Sequence, residues 1–202
     1  MPLRLEAKSI SKSYANRSIF RDYTIGLSES QSLCIKGPNG SGKSTMMRIL
    51  AKVIKPSSGG VVYFDGQNEI DEDLIIHAIG FLSPHVEPYG ELTLHENIRF
   101  VLRTDMAEDK IGEHLHYFGL FNHRNSPVSH LSTGLKQRLK YLLAVINEPK
   151  VLLFDEPGSN LDAPGKDLVY SYINSLKKDR IIIVATNVKE EERLCGEVLS
   201  LG

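Results

Sequence analysis

Leu3, Leu5 and Ala7 alternate with polar residues at the start of the chain, the period of a half-buried strand. Ser13-Tyr14, Ser18-Ile19-Phe20 and the run 23–27 continue in the same style, so this end predicts a small β layer. Glu29-Ser30-Gln31 then forms a polar turn into Ser32-Leu33-Cys34-Ile35-Lys36, which is short, mostly apolar and strand-like. Residues 46–52 carry apolar positions clustered on one helical face, and 55–60, rich in Pro, Ser and Gly, predict a turn. Val61-Val62-Tyr63-Phe64 and Ile79-Gly80-Phe81-Leu82 predict further strands.

Between about 85 and 147 the pattern becomes helical. Thr93, with Glu96 three residues on, predicts a capped helix over 93–103, and 110–118 predicts a second one. A third opens near Leu131 and runs to about Ile146. Val151-Leu152-Leu153-Phe154 and the run 181–185 are uninterrupted apolar segments, as expected of strands buried on both faces. Helices over 166–177 and 189–193 and a last strand over 197–201 complete an alternation of strand and helix. That alternation predicts an α/β fold with a mostly parallel sheet flanked by helices.

Composition narrows the classes. The chain has 202 residues, 41% hydrophobic and 24% charged, which suits one domain spanning 1–202 with a sizeable core. A net charge of −1 gives no basic surface for nucleic acid. The two cysteines, Cys34 and Cys195, are too few for a disulfide framework, which fits a reducing compartment, and Cys34 reads as a small core residue. Charges at Arg4 and Glu6 interrupt what a signal peptide would need. No stretch approaches the ~18 apolar residues of a membrane span, so a membrane role must come through a partner. His114, His116, His123 and His130 match no zinc spacing and read as a solvated helical surface.

The chemistry concentrates between the first core strand and its helix. Gly37-Pro38-Asn39-Gly40-Ser41-Gly42-Lys43-Ser44-Thr45 fits the P-loop pattern, and every fixed position agrees. Its glycines let successive N–H groups face an anion, and the following helix adds its positive end. Lys43 supplies a charge for the outer phosphates, and the Ser44 hydroxyl a ligand for Mg²⁺. Downstream, Asp155 and Glu156 follow an apolar strand directly. Asp155 is placed to hold Mg²⁺ through water, and Glu156 to polarise an attacking water.

With these residues in place, the chain resembles the ATP-binding cassette (ABC) ATPases, the nucleotide-binding subunits of ABC transporters. The resemblance extends over essentially the whole sequence. Leu131-Ser132-Thr133-Gly134-Leu135 stands for the family's Leu-Ser-Gly-Gly-Gln signature and is followed by Lys136-Gln137-Arg138. Ser159-Asn160-Leu161-Asp162 stands for the D-loop, and Tyr14 for the aromatic that stacks on adenine. The resemblance implies an N-terminal antiparallel β layer and a helical subdomain at about 85–147. It implies ATP and Mg²⁺ as ligands, catalysis by Glu156 and Lys43, and contact from Ser132 and Gly134 to the nucleotide of a second copy in a head-to-tail homodimer.

Three departures stand out. Thr133 and Leu135 replace the signature's Gly and Gln. His85, or Pro84, replaces a metal-ligating, partner-sensing glutamine, which makes His85 a weak candidate ligand. Asn187 replaces the switch histidine that orders the attacking water. It either takes that catalytic place with a shorter donor, giving slow hydrolysis, or caps the helix that follows. The resemblance implies an ATPase energising a separate membrane-spanning subunit, docked on the helical region and lying on the cytoplasmic face. Compact bacterial exporter ATPases, including the haem-exporter type, are similar in length. A non-transport ABC ATPase and a weakly hydrolysing regulatory module are the alternatives.

Overall fold

The structure is a computed structural model and describes residues 2–15 and 17–202. The chain divides into two compact units. The first comprises Met1–Ser83, Pro149–Pro157 and Ile173–Gly202; the second comprises Pro84–Glu148 and Gly158–Tyr172. The helical subdomain expected at 85–147 therefore falls within the second unit, which also takes in the segment 158–172.

In the first unit, β1 (Leu3–Tyr14) and β2 (Arg17–Ser28) are two long antiparallel strands, where the sequence suggested several short ones. With β4 (Ser58–Asp65) and β5 (Asn68–Glu69) they form a sheet of order β2-β1-β4-β5, the antiparallel layer. The turn expected over 55–60 is corrected here, because Ser58, Gly59 and Gly60 are already strand. Gly59 has φ +76°, and a Cβ on it would lie 2.3 Å from the Lys8 carbonyl oxygen and 2.4 Å from that of Ser9. It answers a break in β1–β4 register between Lys8 and Ser11, so the glycine serves a bulge, where close backbone approach leaves no room for a side chain.

The second sheet is parallel, in the order β6-β7-β8-β3-β9, with β3 (Ser32–Lys36), β6 (Ile79–Leu82), β7 (Val151–Asp155), β8 (Ile181–Thr186) and β9 (Glu197–Ser200). All residues of β7 and β8 are buried, which is why their sequences show no alternation. Helix α1 (Lys43–Leu50) contributes Met46, Met47, Ile49 and Leu50 to the same core as Leu5, Ile10 and Leu27 of the antiparallel layer and Leu153 and Ile183 of the parallel one. Tyr63 donates its hydroxyl to the Leu50 carbonyl at 2.6 Å, fixing the C-terminal end of α1 to β4. Helix α2 (Glu72–Ala78), which the sequence reading did not foresee, is capped by Asp71, whose side chain accepts from the Asp73 N–H at 2.9 Å.

The second unit holds α3 (Leu94–Val101), α4 (Glu108–Tyr117), α5 (Thr133–Val145) and the start of α6 (Ala163–Ser175). The expected capping box is present: Thr93 Oγ1 accepts from the Glu96 N–H at 3.1 Å, and Glu96 Oε2 accepts from the Thr93 N–H at 2.8 Å. Asn97, buried, accepts from the Tyr89 N–H at 2.8 Å and donates back to the Tyr89 carbonyl at 2.9 Å, pinning the segment before α3. Tyr117, Phe118 and Tyr172 pack ring against ring at 5.0–5.3 Å and join α4 to α6. The short helix α7 (Lys189–Glu192) belongs to the first unit.

Candidate functional site

The P-loop connects β3 to α1. A Cβ on Gly37 would come within 2.3 Å of the Leu201 carbonyl oxygen and 2.6 Å of Ser41 Oγ, so the loop closes only with glycine there. Gly42, at φ +100°, is the N-cap of α1 and offers no side-chain acceptor, which leaves first-turn N–H groups for an anion. Lys43 is 5% exposed, and its Nζ donates to the carbonyls of Gly37 at 2.8 Å and Pro38 at 3.1 Å. The ammonium thus rests inside the loop, held at its N-terminal side. Ser41 Oγ is buried with no hydrogen-bond partner.

Asp155 is the buried last residue of β7, which lies between β6 and β8 in the parallel sheet. Apart from the Ser44 hydroxyl beside them, its buried carboxylate oxygens lack hydrogen-bond partners, an arrangement that costs free energy unless something cationic binds there. Burial raises its pKa, and the nearby Glu156 charge pushes the same way. Ser44, Lys43 and Arg48 act in the opposite direction without prevailing. A buried carboxylate short of partners, with a serine hydroxyl and a P-loop lysine in its surroundings, fits a divalent cation that carries nucleotide phosphates.

Glu156 leaves the strand in the left-handed region, at φ +53°, with its N–H donating to the Ala185 carbonyl at 2.8 Å. A non-glycine residue held there stores about 1–3 kcal/mol, and such strain concentrates at functional sites. The backbone bond to β8 holds the carboxylate-bearing residue at the sheet's C-terminal edge.

Asn187 follows β8. Its Nδ2 donates to Asn39 Oδ1 of the P-loop at 3.0 Å. It does not cap α7: the N-cap is Val188, whose N–H donates to Thr186 Oγ1 at 2.9 Å. The alternative reading of Asn187 as a helix cap is corrected accordingly. A cavity of about 430 Å³ borders this junction, lined by Gly37, Pro38, Asn187 and Glu192 among others.

Tyr14 closes β1 and is 51% exposed, with the Lys12 ammonium 4.9 Å from its ring centroid. The first unit therefore contains Tyr14, the P-loop residues 37–45, Asp155, Glu156 and Asn187. His85, Ser132 and Gly134 belong to the second unit. Ser132 is the N-cap of α5 and accepts from the Leu135 N–H at 3.4 Å; Gly134 lies in the first turn, where a Cβ would be 3.7 Å from the Asn160 carbonyl oxygen. His85 is exposed in the turn after β6 and, among the described residues, joins no group of three or more His, Cys, Asp or Glu able to hold a metal. Cys34 is buried in β3, where burial pushes its thiol up to about 11; Cys195 is pushed up to about 12, and both are free. Two features escaped the sequence reading: Asn39 as partner of Asn187, and the strained backbone of Glu156. Neither carries a local signal.

The ABC transporter family model matches residues 20–159. An uncharacterized ABC transporter ATP-binding protein of Bacillus subtilis, YxlF, is 31% identical over 96% of this chain and 66% of its own length, so the chain spans about two thirds of that relative. A putative hemin import ATP-binding protein of Staphylococcus haemolyticus, HrtA, is 34% identical over 98% of this chain and 97% of its own. Among solved structures, a dimeric ATP-binding cassette in a post-hydrolysis state with ADP and Pi aligns with a TM-score of 0.83 at 23% identity, over 98% of this chain and 94% of that one.

Proposed function

We propose that this chain, which belongs to the ABC transporter family of ATP-binding proteins, binds and hydrolyses ATP to drive transport by a separate membrane-spanning partner. The observation that carries the proposal is Asp155, a buried carboxylate short of hydrogen-bond partners, with the Ser44 hydroxyl and the Lys43 charge acting on it. Ser44 and Asp155 would hold Mg²⁺, which supplies charge neutralisation at the β- and γ-phosphates. Residues 37–45 cradle the phosphates, and Lys43 exchanges its carbonyl acceptors for phosphate oxygens. The exposed Tyr14 ring offers a stacking face for adenine. Glu156 polarises the attacking water from its fixed place beside β8. Asn187 donates toward the γ-phosphate with a neutral amide, which makes turnover slow. His85 or Pro84 occupies the position of the partner-sensing glutamine, and His85 would add at most a weak metal contact.

Ser132 and Gly134 serve the nucleotide of a second copy, so ATP drives a head-to-tail homodimer of 1–202 cassettes. The helical region 85–130 receives the membrane subunit, placing the chain on the cytoplasmic face of a membrane; among the described residues no helix is long and apolar enough to cross one. The hemin named for the Staphylococcus relative is a first cargo to test. A second reading, a regulatory module with slow turnover, is favoured by the engagement of Asn187 with Asn39.

Calorimetry with MgATP at millimolar nucleotide tests the core of the proposal, and absence of binding by the wild-type chain would overturn it. Photo-crosslinking in cells from Tyr89 and Glu91 tests the partner. Capture of a polytopic membrane protein supports the transport role, whereas recovery of only ribosomal or DNA-bound proteins refutes it.

A further inference from the structure

The guanidinium of Arg138, on α5, sits where three separate segments of the second unit converge. Its Nη2 lies 3.7 Å from Asp162 Oδ1. A Cβ on Gly165 would come within 3.4 Å of that same Nη2 and 2.7 Å of Asp162 Oδ1. A Cβ on Gly119, which has φ +67°, would come within 3.1 Å of Arg138 Nη1. Two glycines thus leave the slot that the guanidinium fills. The Arg138 side chain is 23% exposed, while that of Asp162 is 70% exposed.

Asp162 has a second task. Its Oδ1 accepts from the Gly165 N–H at 2.9 Å, the side-chain cap of α6. The segment leading into that cap includes Asn160, at φ +60°, whose carbonyl oxygen is the nearest neighbour of the open space at Gly134. The segment 159–162 and the N-terminal turn of α5 are therefore side by side, and Arg138 reaches from α5 to the cap that ends this segment.

We infer that Arg138 is a positioning residue for ATP-dependent dimerisation: through Asp162 it holds the segment 159–162 against the start of α5, so that Ser132, Gly134 and Asn160 meet a second copy as one preformed surface. The inference rests on the homodimer reading above. Arg138 belongs to the second unit and the P-loop to the first, so its effect is expected on assembly, with the affinity of the isolated subunit for MgATP unchanged.

The test uses the full chain carrying Glu156→Gln and follows sedimentation against MgATP concentration, with nucleotide affinity measured separately on dilute monomer. Arg138→Met keeps the apolar stem and removes the charge. Asp162→Asn keeps a cap acceptor, and hence the fold, while also removing the charge. Each variant is expected to raise the MgATP concentration for half-maximal dimerisation about two- to fivefold, the scale of one partly exposed ion pair. The double variant should show no further rise, Arg138→Lys should recover part of the loss, and monomer affinity should be unchanged. Dimerisation of the Arg138→Met variant at the parent's MgATP concentration overturns the inference, as do strictly additive effects or a matching shift in monomer affinity. A parent Glu156→Gln chain that stays monomeric in saturating MgATP refutes the dimer reading itself, and the inference falls with it.

Discussion

Asn187 and Asn39 are joined side chain to side chain, the amide of the first donating to the amide oxygen of the second at 3.0 Å across 148 residues of sequence. The bond ties the end of β8 to the P-loop. Because Val188 and not Asn187 caps α7, removing this side chain should cost little stability, within about 0.5 kcal/mol. Asn187→Ala is expected to lower kcat by about tenfold with a nearly unchanged Tm, on the lower part of the scale for losing one preorganised donor. Asn187→His should raise kcat with MgATP affinity unchanged. Steady-state hydrolysis together with calorimetry checks both; a fall in Tm without a change in kcat would make the residue purely structural.

Lys43→Ala removes the charge that now rests on the Gly37 and Pro38 carbonyls. A charge-assisted hydrogen bond contributes about 1.5–3 kcal/mol, so MgATP affinity is expected to fall roughly 10- to 100-fold. Titration calorimetry measures it, and an unchanged Kd would exclude Lys43 from phosphate binding.

Asp155 gives a pH signature. Its folded-state pKa lies above the ordinary value of 3.8, so folding disfavours its ionised form. The stability associated with this group is fully present below that ordinary value and is lost as the pH rises through the raised pKa. Asp155→Asn should therefore raise the Tm of the nucleotide-free protein at neutral pH, flatten its decline between acid and neutral pH, and abolish MgATP turnover. Thermal melts over that pH range, paired with an activity assay, decide the matter.

Glu156 separates stability from activity in a different way. Its φ of +53° is one that glycine adopts freely. Glu156→Gly is expected to relieve about 1–2 kcal/mol of backbone strain while eliminating hydrolysis. Glu156→Gln should keep the strain, slow hydrolysis and accumulate an ATP-bound dimer. Denaturant unfolding and sedimentation of the two variants side by side test the pair.

Much of the fold was legible because burial and pattern coincide. The unbroken apolar runs of β7 and β8 announce strands covered on both faces, and Thr93 with Glu96 announces a helix start through a purely local exchange of hydrogen bonds. Helix α2 was not legible: only Ile75 is buried, while Leu74 is 64% and Ile76 46% exposed, so no apolar stripe marks it. Gly59 was misread because a glycine serving a bulge looks like a glycine serving a turn until the opposing strand is known. The P-loop and the acidic strand tip were legible as sequence motifs. The bond from Asn187 to Asn39 and the convergence on Arg138 were not, because each joins residues whose proximity exists only after folding.

The backbone bond from the Glu156 N–H to the Ala185 carbonyl also sets a timescale. It extends the ladder of β7 and β8, whose residues are all buried and whose amides open to solvent only in the rarest fluctuations. In hydrogen–deuterium exchange the Glu156 amide should therefore track the slowest-exchanging core amides and not those of surface loops. A carboxylate held in strained backbone geometry is thus anchored to the longest-lived part of the molecule, so partial opening elsewhere would silence the enzyme long before this residue lost its place.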